Sequence, residues 1–150
     1  MRLVIPPPVQ GVIAAVLMWA FAKFVPALNT PFNGSLKLAI VVGAFGLAIE
    51  FAAMFMFLRA KTTVSPLSPQ KTESLVVSGL YKYSRNPMYL GLAFLLIAYA
   101  VWLSNPLSTL VILGFVWWIN KFQIEPEEEI LREKFGNEYI EYHDRVGRWF

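Results

Sequence analysis

The chain has 150 residues, 57% hydrophobic and only 15% charged, against about 25% charged in a soluble globular domain, so a membrane protein of one domain is expected. It has no cysteine, which excludes disulfides, thiolate nucleophiles and cysteine-ligated metals, and its one histidine, His143, has no second imidazole with which to share a zinc ion. A net charge of +3 is explained by positive cytoplasmic loops more simply than by a nucleic-acid partner.

The run Pro6-Pro7-Pro8 bars a helix interior, so a first apolar helix is expected over residues 9–28, long enough to cross a hydrocarbon core of roughly 30 Å. Three leading prolines and Lys23 near its far end mark it as a retained helix and not a signal peptide. Uncharged turn formers over residues 29–34 lead into a second helix over 35–58, where Gly43, Ala44, Gly46 and Ala48 offer small surfaces for close packing. Glu50 sits inside this second helix. An intramembrane carboxyl is costly and therefore often functional, and two readings stay open: a functional acid, or a protonated or bonded group that serves packing alone.

Residues 59–87 carry Arg59, Lys61, Lys71, Lys82 and Arg85 against a single acid, Glu73, which marks this loop as cytoplasmic. Pro66 and Pro69 make residues 61–71 an extended connection, and residues 75–79 hold a short apolar run. Apolar runs over 88–103 and 107–122, separated by Ser104-Asn105-Pro106, predict a helical hairpin. The first, at about 24 Å, is short for a bilayer. The uncharged turns at 29–34 and 104–106 then fall on one side and the basic loop and C-terminal segment on the other, with Lys23 and Lys37 near the outer ends, where lysine stems snorkel.

From residue 125 onward, Glu125, Glu127, Glu128 and Glu129 crowd around Pro126, as expected at a helix start. Leu131, Phe135, Tyr139, Tyr142 and Val146 then recur at helical spacing, which predicts one amphipathic helix, lying on the membrane or folded back as a lid. The expected fold is therefore an all-α integral membrane protein, a single domain over residues 1–150. It has about four transmembrane helices, the last two a hairpin, plus a C-terminal amphipathic cytoplasmic helix, with both termini cytoplasmic.

Between the long apolar segments stands Gly79-Leu80-Tyr81-Lys82-Tyr83-Ser84-Arg85-Asn86-Pro87-Met88-Tyr89-Leu90-Gly91, too polar to span and too aromatic for a linker. The hairpin brings this stretch towards the glutamates that follow residue 122. Tyrosine faces attract a cation, a glutamate pairs with an ammonium or accepts from ribose hydroxyls, and Arg85 suits a carboxylate. The plainer alternative is an interfacial aromatic belt beside a helix start that is acidic only for dipole reasons.

Three linked motifs decide between these: Leu75-Val76-Val77-Ser78-Gly79-Leu80-Tyr81, then Ser84-Arg85-Asn86-Pro87-Met88-Tyr89-Leu90-Gly91, then Pro126-Glu127-Glu128 with Leu131, Phe135-Gly136, Tyr139, Tyr142 and the closing Arg145-Val146-Gly147-Arg148-Trp149. Over roughly residues 58–149 they resemble the isoprenylcysteine carboxyl methyltransferase family, its short bacterial members above all, and more distantly the phospholipid methyltransferases. The resemblance implies an integral membrane enzyme of a bacterial inner membrane that uses S-adenosylmethionine at its cytoplasmic face, with the cofactor region over about 73–91 and 123–146. The cofactor contacts it implies are Glu73, Ser74, Leu75, Val76, Tyr81, Asn86, Pro87, Met88, Tyr89 and Glu127, with no metal.

In two places the chain departs from the pattern. Asn86 stands where the family often has histidine, which keeps hydrogen-bonding capacity but removes a titratable group. Gln123 stands where the prenylcysteine enzymes have an arginine, so Gln123 is the substrate-side candidate and a carboxylate acceptor is less favoured, unless Lys121 or Arg85 substitutes. Arg85, Glu128 and Glu50 are the candidate catalytic side chains. The partners implied are the lipid bilayer and a lipophilic or small acceptor. The competing readings are a sterol-reductase-like enzyme using NADPH and a noncatalytic membrane scaffold.

Overall fold

The structure, a computed structural model, describes residues 5–59 and 74–150, and every regular element among them is helical. Helix α1 covers Pro7–Phe24, starting two residues earlier than expected because Pro7 and Pro8 occupy first-turn positions, where a missing N–H costs nothing. It stops at Phe24 and not near residue 28, because Pro26 cannot continue the ladder; a single 3₁₀ turn, Pro26–Leu28, follows. Helix α2 is Ser35–Arg59, α3 is Pro87–Leu103 and α4 is Leu107–Ile119. The connection over residues 61–71 lies outside the described residues.

The fourth helix does not end near residue 122. A π turn, Asn120–Ile124, joins α4 to α5, Glu125–Phe135, in one continuous helix, Leu107–Phe135, of 29 residues. In that turn the Glu125 N–H bonds the Asn120 carbonyl, five residues back. The widened ladder leaves room for Pro126, which has no N–H and would crowd the carbonyl four residues before it in a regular α-helix. The glutamates and proline that read as a fresh helix start thus sit at the first turn of α5 inside a longer helix. The amphipathic helix is broken as well. Gly136, at φ +52° and ψ −125°, separates α5 from α6, Asn137–Arg145.

Three helical segments, Pro7–Phe24, Ser35–Met56 and Leu107–Phe135, are long and apolar enough to cross a membrane, and α3 is a shorter apolar helix of 17 residues. Their outer faces bear exposed Val41 (66%) and Leu110 (63%) with Val12, Ile40 and Trp117, a surface that lipid solvates and water does not. The chain is an all-α integral membrane protein.

Helix α3 is the centre of the bundle, with α2 packed along one side and α1 and α4 against the other. Gly46 of α2 and Gly91 of α3 meet backbone to backbone. A Cβ on either would come within 2.9 Å of the other's carbonyl oxygen, so only glycine permits this approach. On the opposite side, Ala14 and Met18 of α1 pack with Tyr89, Leu96, Phe115, Ile119 and Ile124. A second apolar cluster caps the bundle end, made of Ala53, Val76, Tyr81, Tyr139, Tyr142 and Val146. At the far end the two uncharged turns are tied together, Thr30 N–H to the Ser104 carbonyl at 2.8 Å and Asn105 Nδ2 to Asn29 Oδ1 at 2.7 Å.

Candidate active site

The polar stretch between α2 and α3 is built from short-range geometry. Gly79 adopts φ +61°, a left-handed turn that glycine takes without strain, and a 3₁₀ turn, Gly79–Lys82, buries Tyr81. Pro87 then opens α3, with Asn86 as the residue before the helix, in accord with proline at a first helical position. This directs Tyr89, two residues on, into the bundle cluster.

Across from it, the π turn sets Gln123 and Glu127 on the face that meets α3. Tyr89 Oη donates to Glu127 Oε1 at 2.6 Å, and Gln123 Nε2 donates to the same oxygen at 2.7 Å. Gln123 Oε1 in turn accepts from Gln10 Nε2 of α1 at 3.3 Å. One carboxylate oxygen thus gathers side chains from α3 and the π turn, with α1 one bond behind.

Glu128 faces a different set. Arg85 Nη2 reaches its Oε1 at 2.8 Å and Arg148 Nη2 its Oε2 at 2.6 Å, and both Nε atoms also donate to Oε1. Arg85 further donates through Nη1 to the His143 and Val146 carbonyls and through its backbone N–H to Gly147. Its side chain is 7% exposed. The carboxylate hydrogen bonds raise Arg148 above its ordinary value, so its guanidinium stays charged. Asn86 Nδ2 donates to the Arg148 carbonyl at 3.1 Å and Trp149 Nε1 to Asn120 Oδ1 at 3.1 Å. Together these bonds fasten the C-terminal residues over the start of α3. Tyr142 Oη donates to the Tyr81 carbonyl at 2.8 Å, so α6 folds back on the polar stretch. Burial raises the hydroxyls of Tyr81 and Tyr142 and lifts Tyr139 to about 12, keeping all three neutral.

Of the residues singled out by sequence, Val76, Tyr81 and Met88 meet in the cap cluster beside Leu75, Pro87 is buried and Ser74 is exposed. Tyr89, Gln123 and Glu127 come together as described, and Glu73 lies outside the described residues. Glu50 is set apart from them at the α2–α3 crossing, where its Cβ and backbone nitrogen face Gly91. Lys121 pairs with Glu125 at 2.8 Å. A cavity of about 370 Å³, lined by Val77, Lys82, Tyr142, Arg145 and Val146, opens on the cap and not at Glu127. Its volume suits a small molecule, but the hydrogen-bonding geometry ties Glu127 to the motif stretches more directly. Gln10 went unnoticed in the sequence; its one signal is an amide within the first turns of an otherwise apolar helix.

Among known families, the one described as phospholipid methyltransferase matches residues 35–138, about two thirds of the chain. The chain belongs to the phospholipid methyltransferase family. The matched region runs from the start of α2 into α6, so the family's shared part contains Tyr89, Gln123, Glu127 and Glu128 and leaves out Gln10 and Arg148. Among curated proteins, the protein-S-isoprenylcysteine O-methyltransferase of Saccharomyces cerevisiae is 34% identical over 115 residues, covering 74% of this chain and 48% of the yeast protein. The protein-S-isoprenylcysteine O-methyltransferase of Mus musculus is 34% identical over 107 residues, 71% of this chain and 38% of its own. An uncharacterized protein of Haemophilus influenzae is 47% identical over 62 residues, 41% of this chain and 98% of its own. The motif resemblance to the isoprenylcysteine enzymes therefore holds, and this family member spans less than half the length of those two named relatives.

Proposed function

We propose that this protein transfers a methyl group from S-adenosylmethionine to a lipophilic or small acceptor at the cytoplasmic face of the membrane. The observation that carries this reading is the meeting of Tyr89 and Gln123 on one oxygen of Glu127, which joins the motif stretches before α3 and after α4. The side chains present suit the cofactor's chemistry. Glu127 Oε2 has no hydrogen-bond partner among the described residues, and a carboxylate oxygen is a good acceptor for an ammonium or a ribose hydroxyl. The ring faces of Tyr81 and Tyr89 suit a sulfonium. Ser74, Leu75, Val76, Asn86, Pro87 and Met88 complete the cofactor set, with Glu73 assigned from the motif.

Bound there, S-adenosylmethionine supplies an electrophilic methyl group. The chain's own part is alignment, the larger contribution where no covalent intermediate is needed. Glu127 anchors and orients, while Arg85, Glu128 and Arg148 hold the C-terminal residues closed over the start of α3 and act as positioning residues. Asn86, the residue before α3 and bonded through its side chain to the Arg148 carbonyl, has no proton to exchange near neutral pH. Single-domain construction lets a lipid-tailed acceptor approach through the bilayer while the water-soluble cofactor approaches from the cytoplasm.

Calorimetry in detergent with S-adenosylhomocysteine and with NADPH tests the reading. Binding of the first and not the second is expected; folded protein that binds no S-adenosylhomocysteine refutes it.

A further inference from the structure

Gln10 lies outside the family-matched residues, yet it ends the hydrogen-bonded chain that runs from Glu127. Gln123 presents Nε2 to Glu127 and Oε1 to Gln10, and the direction of the Gln10 amide is fixed by a backbone carbonyl, which can only accept. Gln10 then has two acceptors on one side, Gln123 Oε1 and the Ile5 carbonyl at 2.8 Å. Its Nε2 must face both, because the flipped amide would set oxygen against oxygen.

That leaves Gln10 Oε1 pointing the other way. Gln10 is 8% exposed, and this oxygen is fully buried with no hydrogen-bond partner among the described residues. A buried carbonyl without a donor is costly, and native proteins leave few of them unexplained. We propose that Gln10 is a substrate-binding residue, its Oε1 taking a hydrogen bond from an N–H or O–H on the head group of the methyl acceptor. The inference rests on the methyltransferase reading for the word acceptor, but the binding site itself does not need it.

Two observations favour the acceptor over the cofactor. Gln10 belongs to the bundle side of Glu127: the next residue, Gly11, abuts Leu92 of α3, and its helix packs through Ala14 and Met18 on Tyr89. Of the proposed cofactor residues, Val76, Tyr81 and Met88 belong instead to the cap cluster, and Tyr89 alone joins the bundle cluster, through which Gln10 would set the acceptor beside the cofactor. A tail in the bilayer reaches the first side and a soluble molecule the second. The head group also has to offer a donor and not a carboxylate, because the free atom is an acceptor and the guanidinium groups of Arg85 and Arg148 are held on Glu128.

The test uses the full chain in detergent without cofactor, titrated with three dihexanoyl lipids: phosphatidylethanolamine (an ammonium), phosphatidylglycerol (hydroxyls) and phosphatidylcholine (neither N–H nor O–H). Wild type is expected to bind at least one donor-bearing lipid about tenfold more tightly than phosphatidylcholine, the worth of one good hydrogen bond. Which of the two it prefers identifies an ammonium or a hydroxyl. Gln10→Met, of similar shape but without hydrogen-bonding capacity, should lose the preference. Equal binding of all three lipids by wild type overturns the proposal before any variant is made, and so does a preference that survives in Gln10→Met. S-adenosylhomocysteine titrated into the same wild-type sample separates the two ideas. Lipid preference without its binding leaves the Gln10 site and refutes methyl transfer, and the reverse pattern refutes Gln10 alone.

Discussion

Glu127 accepts two hydrogen bonds on one oxygen, and in the proposed site its other oxygen meets the ligand, so substituting it should affect binding more than folding. A hydrogen bond involving a charged group is worth about 1.5–3 kcal/mol, so Glu127→Gln is expected to weaken S-adenosylhomocysteine binding about 10- to 100-fold by calorimetry. Tyr89→Phe removes only a supporting donor and should cost about 3- to 10-fold; wild-type affinity in both would remove the pair from the site. Glu128 predicts the opposite pattern. Glu128→Ala leaves the Arg85 guanidinium, whose side chain is 7% exposed, buried without its counter-ion, a loss of about 3–5 kcal/mol. Removing Arg148, itself 30% exposed, leaves Glu128 still paired with Arg85, so no buried charge loses its only counter-ion and the cost is smaller. Thermal unfolding in detergent should therefore show a large drop for Glu128→Ala and a small one for Arg148→Ala; equal drops would mean that burial of Arg85 does not decide the matter. Tyr89 and Glu127 were legible in the sequence because each sits inside a motif. The sequence offers Arg85 as a partner for a substrate carboxylate, because nothing local shows that three backbone carbonyls and Glu128 hold it from residues 43 to 62 positions away. Gln10 was illegible for the same reason, its partner lying 113 residues on.

At the level of elements, periodicity disclosed faces better than it disclosed continuity. Leu131, Phe135, Tyr139, Tyr142 and Val146 all pack in the one cap cluster although the helix breaks at Gly136 between the second and third of them. A stripe needs only a common target, and a hinge at glycine lets both halves reach it. Pro126 with its glutamates gives the same local signal whether a helix begins there or a wider turn has already removed the need for its N–H, so the continuous helix Leu107–Phe135 could not be told from two. The π turn has a consequence for function. It turns α5 by about one residue's worth, roughly 100°, relative to a regular continuation of α4, and Glu127 meets Tyr89 only in that setting. Pro126→Ala restores an N–H and removes the crowding that favours the wide turn, so the helix should become no less stable while Glu127 withdraws. An unchanged or raised melting temperature with a several-fold loss of S-adenosylhomocysteine affinity is expected, the trade of stability against site geometry seen where local strain serves function. Unchanged affinity would show that the π turn holds its shape without proline.

The whole molecule has two unlike ends. One joins the turns near residues 29 and 105 through uncharged groups, Asn29, Thr30, Ser104 and Asn105. The other gathers Arg85, Glu127, Glu128 and Arg148 under the aromatic cap, and the starts of α1 and α3 meet the ends of α2 and α4 there. That polarity was legible in the charge pattern, since positive residues collect on the cytoplasmic side, whereas the packing of α3 between α2 and α1 was not, because all four helices are apolar almost all round and no stripe says which neighbours which. The proposed orientation, site inward and uncharged turns outward, follows from the same asymmetry, although Lys23 and Lys37 near the far end oppose it weakly. The absence of cysteine makes the test clean, since one introduced thiol is the only one to react. Ser74 and Asn33 are both exposed and stand towards opposite ends of α2, Ser74 joining the cap through Leu75 and Asn33 just preceding Ser35. A membrane-impermeant maleimide should label Asn33→Cys in intact spheroplasts and Ser74→Cys only after permeabilisation. The reverse pattern would turn the molecule over and, with it, deny a cytoplasmic cofactor any direct path to Glu127.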